Sequence, residues 1–185
     1  MAAAADRGSR RRRRRRERDR GVALVEFALV CPVLMIILLG TFSGAMAWNQ
    51  SQSLGQGARV AARHASTLPL PEAAVEMAAW LDGVASYAVD ASGGELDAGV
   101  AGRSICVAYV DPAGSAPDQT VSRRTNAAGV RTSGVDWCFD DGQDPTERRV
   151  QVVLERDGYI DTGFHRQTVH LRRTVVYRYE AFGGI

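Results

Sequence analysis

Residues 21–48 read GVALVEFALVCPVLMIILLGTFSGAMAW, and the arrangement of the whole chain follows from this stretch. From Phe27 to Ala47 it holds 21 consecutive residues without a charge. At roughly 1.5 Å per residue these make about 31 Å of helix, enough to cross a hydrocarbon core of about 30 Å. Trp48 closes the run where an amphipathic ring sits at the lipid headgroups. Just before it, Arg10–Arg16 form seven arginines in a row, with Arg18 and Arg20 beyond. Positive charge flanking a first span holds that end in the cytoplasm, so the chain after Trp48 is expected outside.

Glu26 interrupts the apolar logic. A carboxylate at the centre of a bilayer costs about 2.5–3.5 kcal/mol on an insertion scale. Near the edge it costs less, and Glu26 could simply reach back to the interface. Its setting offers a sharper reading: a basic leader, then Gly21, then Val22-Ala23-Leu24-Val25-Glu26-Phe27. A glycine after a basic leader, followed by an apolar run with glutamate at its fifth position, resembles the type IV prepilin processing site. The resemblance implies that a prepilin peptidase cuts after Gly21 on the cytoplasmic face. Val22 then becomes the first residue, and its α-amine lies one helical turn from Glu26. That amine, on the same chain or a neighbour, is the natural counter-charge.

Composition separates leader from remainder. All 23 basic residues are arginine, and the formal net charge is +2. Residues 1–21 carry ten arginines against Asp6, Glu17 and Asp19; from Val22 onward 13 arginines face 18 acids, a net of −5. An acidic external region is a poor nucleic-acid binder, because such binding rests on neutralising phosphates. The arginine block is explained by its place beside a span. No nucleic-acid partner is expected.

In order, the chain divides into a basic cytoplasmic leader (1–21), a transmembrane helix (22–48), an amphipathic extension (49–67) and an extracytoplasmic domain (68–185). Low-complexity residues 1–20 are expected to be disordered. Pro32 lies inside the span, where neighbours compensate a freed carbonyl. Gly40 and Gly44 form a G-x-x-x-G pair, a close-packing face for another helix. Asn49–Ser66 is polar, with Leu54, Ala58, Ala61, Ala62 and Ala65 near helical spacing. Leu68-Pro69-Leu70-Pro71 ends the helix, since a residue before proline leaves the helical region.

The string from Arg20 to Gly40, with ARVAARHAST (residues 58–67) following, is similar to the TadE-like family of tight-adherence pilus assembly. The matching features are Gly21, the Val25-Glu26-Phe27-Ala28 core with Pro32, and the element Ala58, Ala61, Ala62 and Arg63. The resemblance covers roughly residues 20–67 and does not extend to residues 70–185. It implies a single-pass protein of the bacterial cytoplasmic (inner) membrane, N-terminus inside and C-terminal domain extracytoplasmic. Its role would be that of a minor pilin, pseudopilin or pilus-assembly factor of a Tad/Flp secretion and adhesion system. The implied partners are membrane lipid, a prepilin peptidase, other pilin or pseudopilin subunits and the Tad inner-membrane machinery. Glu26, Phe27, Pro32, Gly40 and Gly44 would pack against neighbouring helices.

Beyond the span, Pro71–Ala88 reads as a second helix, with Pro71 at its first position and Met77, Trp80, Leu81, Val84 and Tyr87 or Ala88 on one buried face. The period then switches to two. Strands are expected over Ser104–Val110, Val135–Phe139, Arg149–Glu155 and Thr168–Tyr179. A polar loop (111–134) joins the first two, and Asp157-Gly158 marks a turn. On the last strand Arg173 interrupts the apolar face, which places it at an edge or snorkelling. The class is α+β: a long N-terminal helix and a second helix on a small antiparallel sheet. This is also the pilin architecture, as the resemblance implies.

Cys31 reads as an apolar filler of the span. Cys106 and Cys138 fall in the external region, where disulfides persist. A metal pair helped by His64, His165 or His170 is the competing reading, but no CxxC or HxxxH spacing supports it. Neither G-x-S-x-G, H-E-x-x-H, a P-loop nor a Rossmann fingerprint occurs. Asp140, Asp141 and Asp144 lack the spacing of a calcium loop and read as an acidic turn. A structural, non-catalytic protein without cofactor is therefore expected. The alternative is a secreted or anchored binding protein or enzyme with residues 1–47 as signal peptide, for which Ala45-Met46-Ala47 fits an A-x-A cleavage site.

Overall fold

The computed structural model of the chain describes residues 3–114, 119–144 and 146–180, with the backbone alone for residues 3–20 and 74. Helix α1 runs unbroken over Ala3–Thr67, with Pro32 inside it. Residues 3–20, expected to be disordered, are its first turns, because alanine and arginine are both strong helix formers. The arginine side chains, and Met1 and Ala2, lie outside the described residues.

Helix α2 spans Ala74–Ala91 and begins three residues later than the proline signal predicts. Leu68 and Leu70 both pack against the core, which keeps the chain extended through Pro71. Five antiparallel strands follow: β1 (Ser104–Val110), β2 (Val121–Thr125), β3 (Arg131–Gly134), β4 (Arg149–Asp161) and β5 (Arg166–Arg178). Their order across the sheet is β3-β2-β1-β4-β5.

One sheet face carries the main core. Ile105, Val107 and Tyr109 of β1 stand opposite Leu154, Val152 and Val150 of β4. Onto them pack Leu54, Ala58, Ala61, Ala62 and Ala65 of α1, and Met77, Leu81, Val84 and Ala88 of α2. Of the two alternatives at the end of the α2 stripe, Ala88 is the buried one; Tyr87 lies at the surface, stacked on His64 at 4.4 Å. Small residues on α1 let its axis come close. A Cβ on Gly57 would sit 3.0 Å from the Ala88 carbonyl oxygen and 3.2 Å from Ser92 Cβ.

Several expectations give way. The region 111–134 is not a loop throughout but contains β2 and β3. Their residues (VSRRT and RTSG) are too polar to display an apolar face. Pairing with β1 and the ion pairs of Asp82 with Arg123 and Arg131 hold them instead. Val135–Phe139 is not a strand, since β2 and β4 already occupy both edges of β1. The segment crosses the outer sheet face, tied by the Cys106–Cys138 disulfide.

Asp157-Gly158 is not a turn either, for β4 continues to Asp161. Gly158 is there because α1 and β5 come close: a Cβ would meet Leu171 at 3.1 Å and Gln50 at 3.2 Å. The turn lies at residues 162–165, where Gly163 takes φ 83°. The resulting β4–β5 hairpin is long for a reason of length matching. Thirteen residues of β5 cover about 43 Å at roughly 3.3 Å each. The α1 stretch from Gly40 to Ser66, which the hairpin follows, covers about 40 Å.

Candidate functional site

The long helix changes character along its length. From Val22 to Leu39 every side chain except Cys31 is exposed, and Phe27 and Leu29 are 64% and 72% exposed. Glu26 and Pro32 are on this bare segment too, as is Gly21 at its edge. None of the described residues covers it, and it is the one helix among them long and apolar enough to cross a membrane. From Gly40 onward the head begins to cover one side: Gly40, Ser43 and Gly44 are half-buried and Ala47 is buried.

The contacts that begin this cover come from the β4–β5 turn. Ser43 Oγ donates to the Asp161 carbonyl at 2.7 Å. Thr162 Cγ2 lies 3.8 Å from a Cβ position on Gly40, and one on Gly163 would lie 2.9 Å from Leu39 Cδ1. The two glycines of the G-x-x-x-G pair therefore differ. Gly40 faces the chain's own hairpin, whereas Gly44 has nothing within 4 Å. Farther along, Arg173 of the edge strand β5 lies inward along α1, its Nε donating to the Ser51 carbonyl.

The family-type element divides as well. Ala58, Ala61 and Ala62 are core residues, fully buried, whereas Arg63 is exposed beside Arg59 and Val60. Its alanines thus act on the fold of the head. They are not an outward surface.

Cys106 and Cys138 are disulfide-bonded, and Cys31 is free. Around the disulfide the outer face of the sheet forms a second, partly polar core with Ala108, Val110, Val153, Trp137 and Phe139. The crossing segment is pinned by Gln151, whose Oε1 accepts from the Cys138 amide and whose Nε2 donates to the Phe139 carbonyl and the Asp141 carboxylate. Arg149 adds a bidentate pair to Asp141 at 2.7 and 3.1 Å, both side chains buried, and stacks on Trp137. Burial pushes the Asp141 carboxyl up. Hydrogen bonds from Arg149, Gln151 and the Gln143 amide, with the Arg149 charge, outweigh it and hold the carboxyl below its ordinary value. The acidic turn is thus a structural clamp, a role its sequence did not disclose. The partner that explains it, Arg149, lies eight residues on, in a strand.

Asp140 and Asp144 point elsewhere, to their own turn: each accepts a backbone amide two residues on. His165 sits in the hairpin turn and His170 in β5 against Asp157. Among the described residues no three His, Cys, Asp or Glu side chains gather to hold a metal ion. The concavities are small: one of about 210 Å³ among Asp82, Asp90, Arg103 and Arg131, and one of about 310 Å³ beside α1 at Phe42, Met46 and Glu95.

Fold and helix together define an α+β head docked along the C-terminal half of one long helix whose N-terminal half is bare and apolar. Residues 21–63 match the family described as TadE-like protein, so this segment of the chain is TadE-like. The match begins at Gly21 and ends at Arg63, the two ends of the pattern visible in the sequence. No curated protein and no solved structure matches the chain.

Proposed function

We propose that the protein is a membrane-anchored, non-catalytic pseudopilin, a minor pilin or assembly factor, of a Tad/Flp pilus system. The observation that carries this reading is the course of α1. Its TadE-like segment starts as a bare apolar helix with one carboxylate, Glu26, and ends inside the core of the head. A helix that is apolar on all sides and uncovered requires lipid or other helices around it.

Two independent features support this orientation. The arginine block on the N-terminal side favours the cytoplasm. The Cys106–Cys138 disulfide on the other side belongs to an oxidising compartment. The peptidase substrate is the Gly21–Val22 bond, in the leader pattern of a prepilin. Glu26 is then four residues from the new α-amine and supplies its counter-charge, within the chain or across to a neighbouring subunit.

The test is Glu26→Gln expressed at native level in the source cells. Loss of pili or of surface adhesion, with the protein still present in the membrane, is the expected result. Normal pili from that strain would sink the assembly role of Glu26.

A further inference from the structure

The geometry points to the β4–β5 turn as a membrane-docking element, which seats the head on the outer lipid surface and fixes how deep α1 sits. This inference rests on the anchored reading above.

Among the described residues of the head, the turn is the part that reaches farthest down α1, meeting it at Leu39, Gly40 and Ser43. At its tip Phe164 is 79% exposed and belongs to neither hydrophobic cluster of the described residues. Beside it stand exposed His165 and Arg166, the latter with its guanidinium 4.0 Å over the Tyr159 ring. An apolar tip flanked by an arginine and a tyrosine suits the boundary between acyl chains and headgroups. There the aromatic rings lie at the interface and the guanidinium meets lipid phosphate.

The helix register decides the depth. Were the hydrocarbon edge at Ala47, the last residue before Trp48, the turn would lie about 10 Å inside it at roughly 1.5 Å per residue. Asp161, His165 and Arg166, all exposed, would then face the hydrocarbon, where ionisable side chains are costly. With the edge at Leu39, Val22–Leu39 crosses the core over about 27 Å, within the usual range of spans. Phe164 then reaches the acyl boundary, and Phe42, Met46 and Trp48, all exposed, lie at the level of the headgroups.

The test places a single nitroxide label on the full chain, in vesicles of phosphatidylcholine and phosphatidylglycerol. Cys31→Ser removes the free thiol, and Phe164→Cys, Val30→Cys or Val130→Cys supplies the attachment point. Collision with oxygen, which concentrates in lipid, is compared with collision with a water-soluble nickel chelate. At 164 oxygen access with loss of nickel access is expected; at 130, in the β2–β3 turn, nickel access is retained. His165→Cys repeats the measurement with Phe164 in place. Nickel access at 164 equal to that at 130, with position 30 shielded, overturns the docking and leaves the anchor standing. Shielding of 164 from both reagents also overturns it, in favour of cover by a second copy of the chain. Nickel access at position 30 removes the anchored reading itself, and the docking with it.

Discussion

Ser43 and Asp161, 118 residues apart, meet where the long helix leaves the head, the serine hydroxyl donating to the aspartate carbonyl at 2.7 Å. Before Gly40 the helix is bare; from Gly40 to Ser66 one face is covered for about 40 Å by the β4–β5 hairpin and α2. The boundary between anchor and head is thus a tertiary contact, and it falls four residues before Ala47, where the apolar stretch ends.

Close approach of the two helices is tested by two glycines. Gly57→Val forces a branched side chain against the Ala88 carbonyl and Ser92, and a loss of about 1–3 kcal/mol is expected. Gly83→Ala, in open space on the exposed face of α2, is expected to gain up to about 1 kcal/mol. Denaturant unfolding of the full chain in detergent reads both.

Gly44 separates folding from assembly. Since nothing lies within 4 Å of its Cβ position, Gly44→Leu is expected not to lower the stability of the head and to gain up to about 1 kcal/mol, as at Gly83. Any neighbouring helix that packs there is displaced. Cross-linking of α1 to its partners in native membranes is expected to fall; unchanged cross-linking would remove Gly44 from the packing surface.

The disulfide closes a loop between residues 32 apart, worth roughly 3–4 kcal/mol in the chain-entropy model. Cys106→Ser with Cys138→Ser should lower stability by about that amount. Without reductant, thiol titration of the unfolded parent chain is expected to find Cys31 alone.

The buried clamp gives a pH dependence of defined sign. Asp141 is held below its ordinary value, so its stabilisation is complete above the unfolded pKa of about 3.9. It is lost as the pH falls through the lower, folded value. Stability is expected to decline on acidification below about pH 4. Asp141→Asn is expected to cost about 3–5 kcal/mol at neutral pH, because Arg149 is left buried without its charge partner, and to flatten that decline. Asp144, held low by the Thr146 hydroxyl and amide, adds a residual slope of the same sign.

What the sequence discloses follows from which residues carry periodicity. The span, the alanine face of α1, the α2 stripe and strands β1, β4 and β5 all repeat apolar residues at the period of their element, and each is present. The disulfide is legible because two cysteines lie beyond a span. Strands β2 and β3 are not legible: Ser122, Arg123, Arg124, Thr132 and Ser133 are held by main-chain pairing and by Asp82. Gly158 misleads, since glycine at a turn and glycine under a crossing helix look alike in one dimension. The meeting of Ser43 with Asp161 leaves no local signature, so neither the cover over Gly40 nor the level of the Phe164 tip can be read from composition.

The central claim, a processed and anchored pseudopilin, is tested most directly by the N-terminal sequence and intact mass of the protein purified from its native membrane. A chain that begins at Val22 is the expected result, with Glu26 as its fifth residue. A chain from the membrane that retains Gly21 and the arginine block would contradict processing. One recovered from the medium and beginning at Trp48 would contradict the anchor as well.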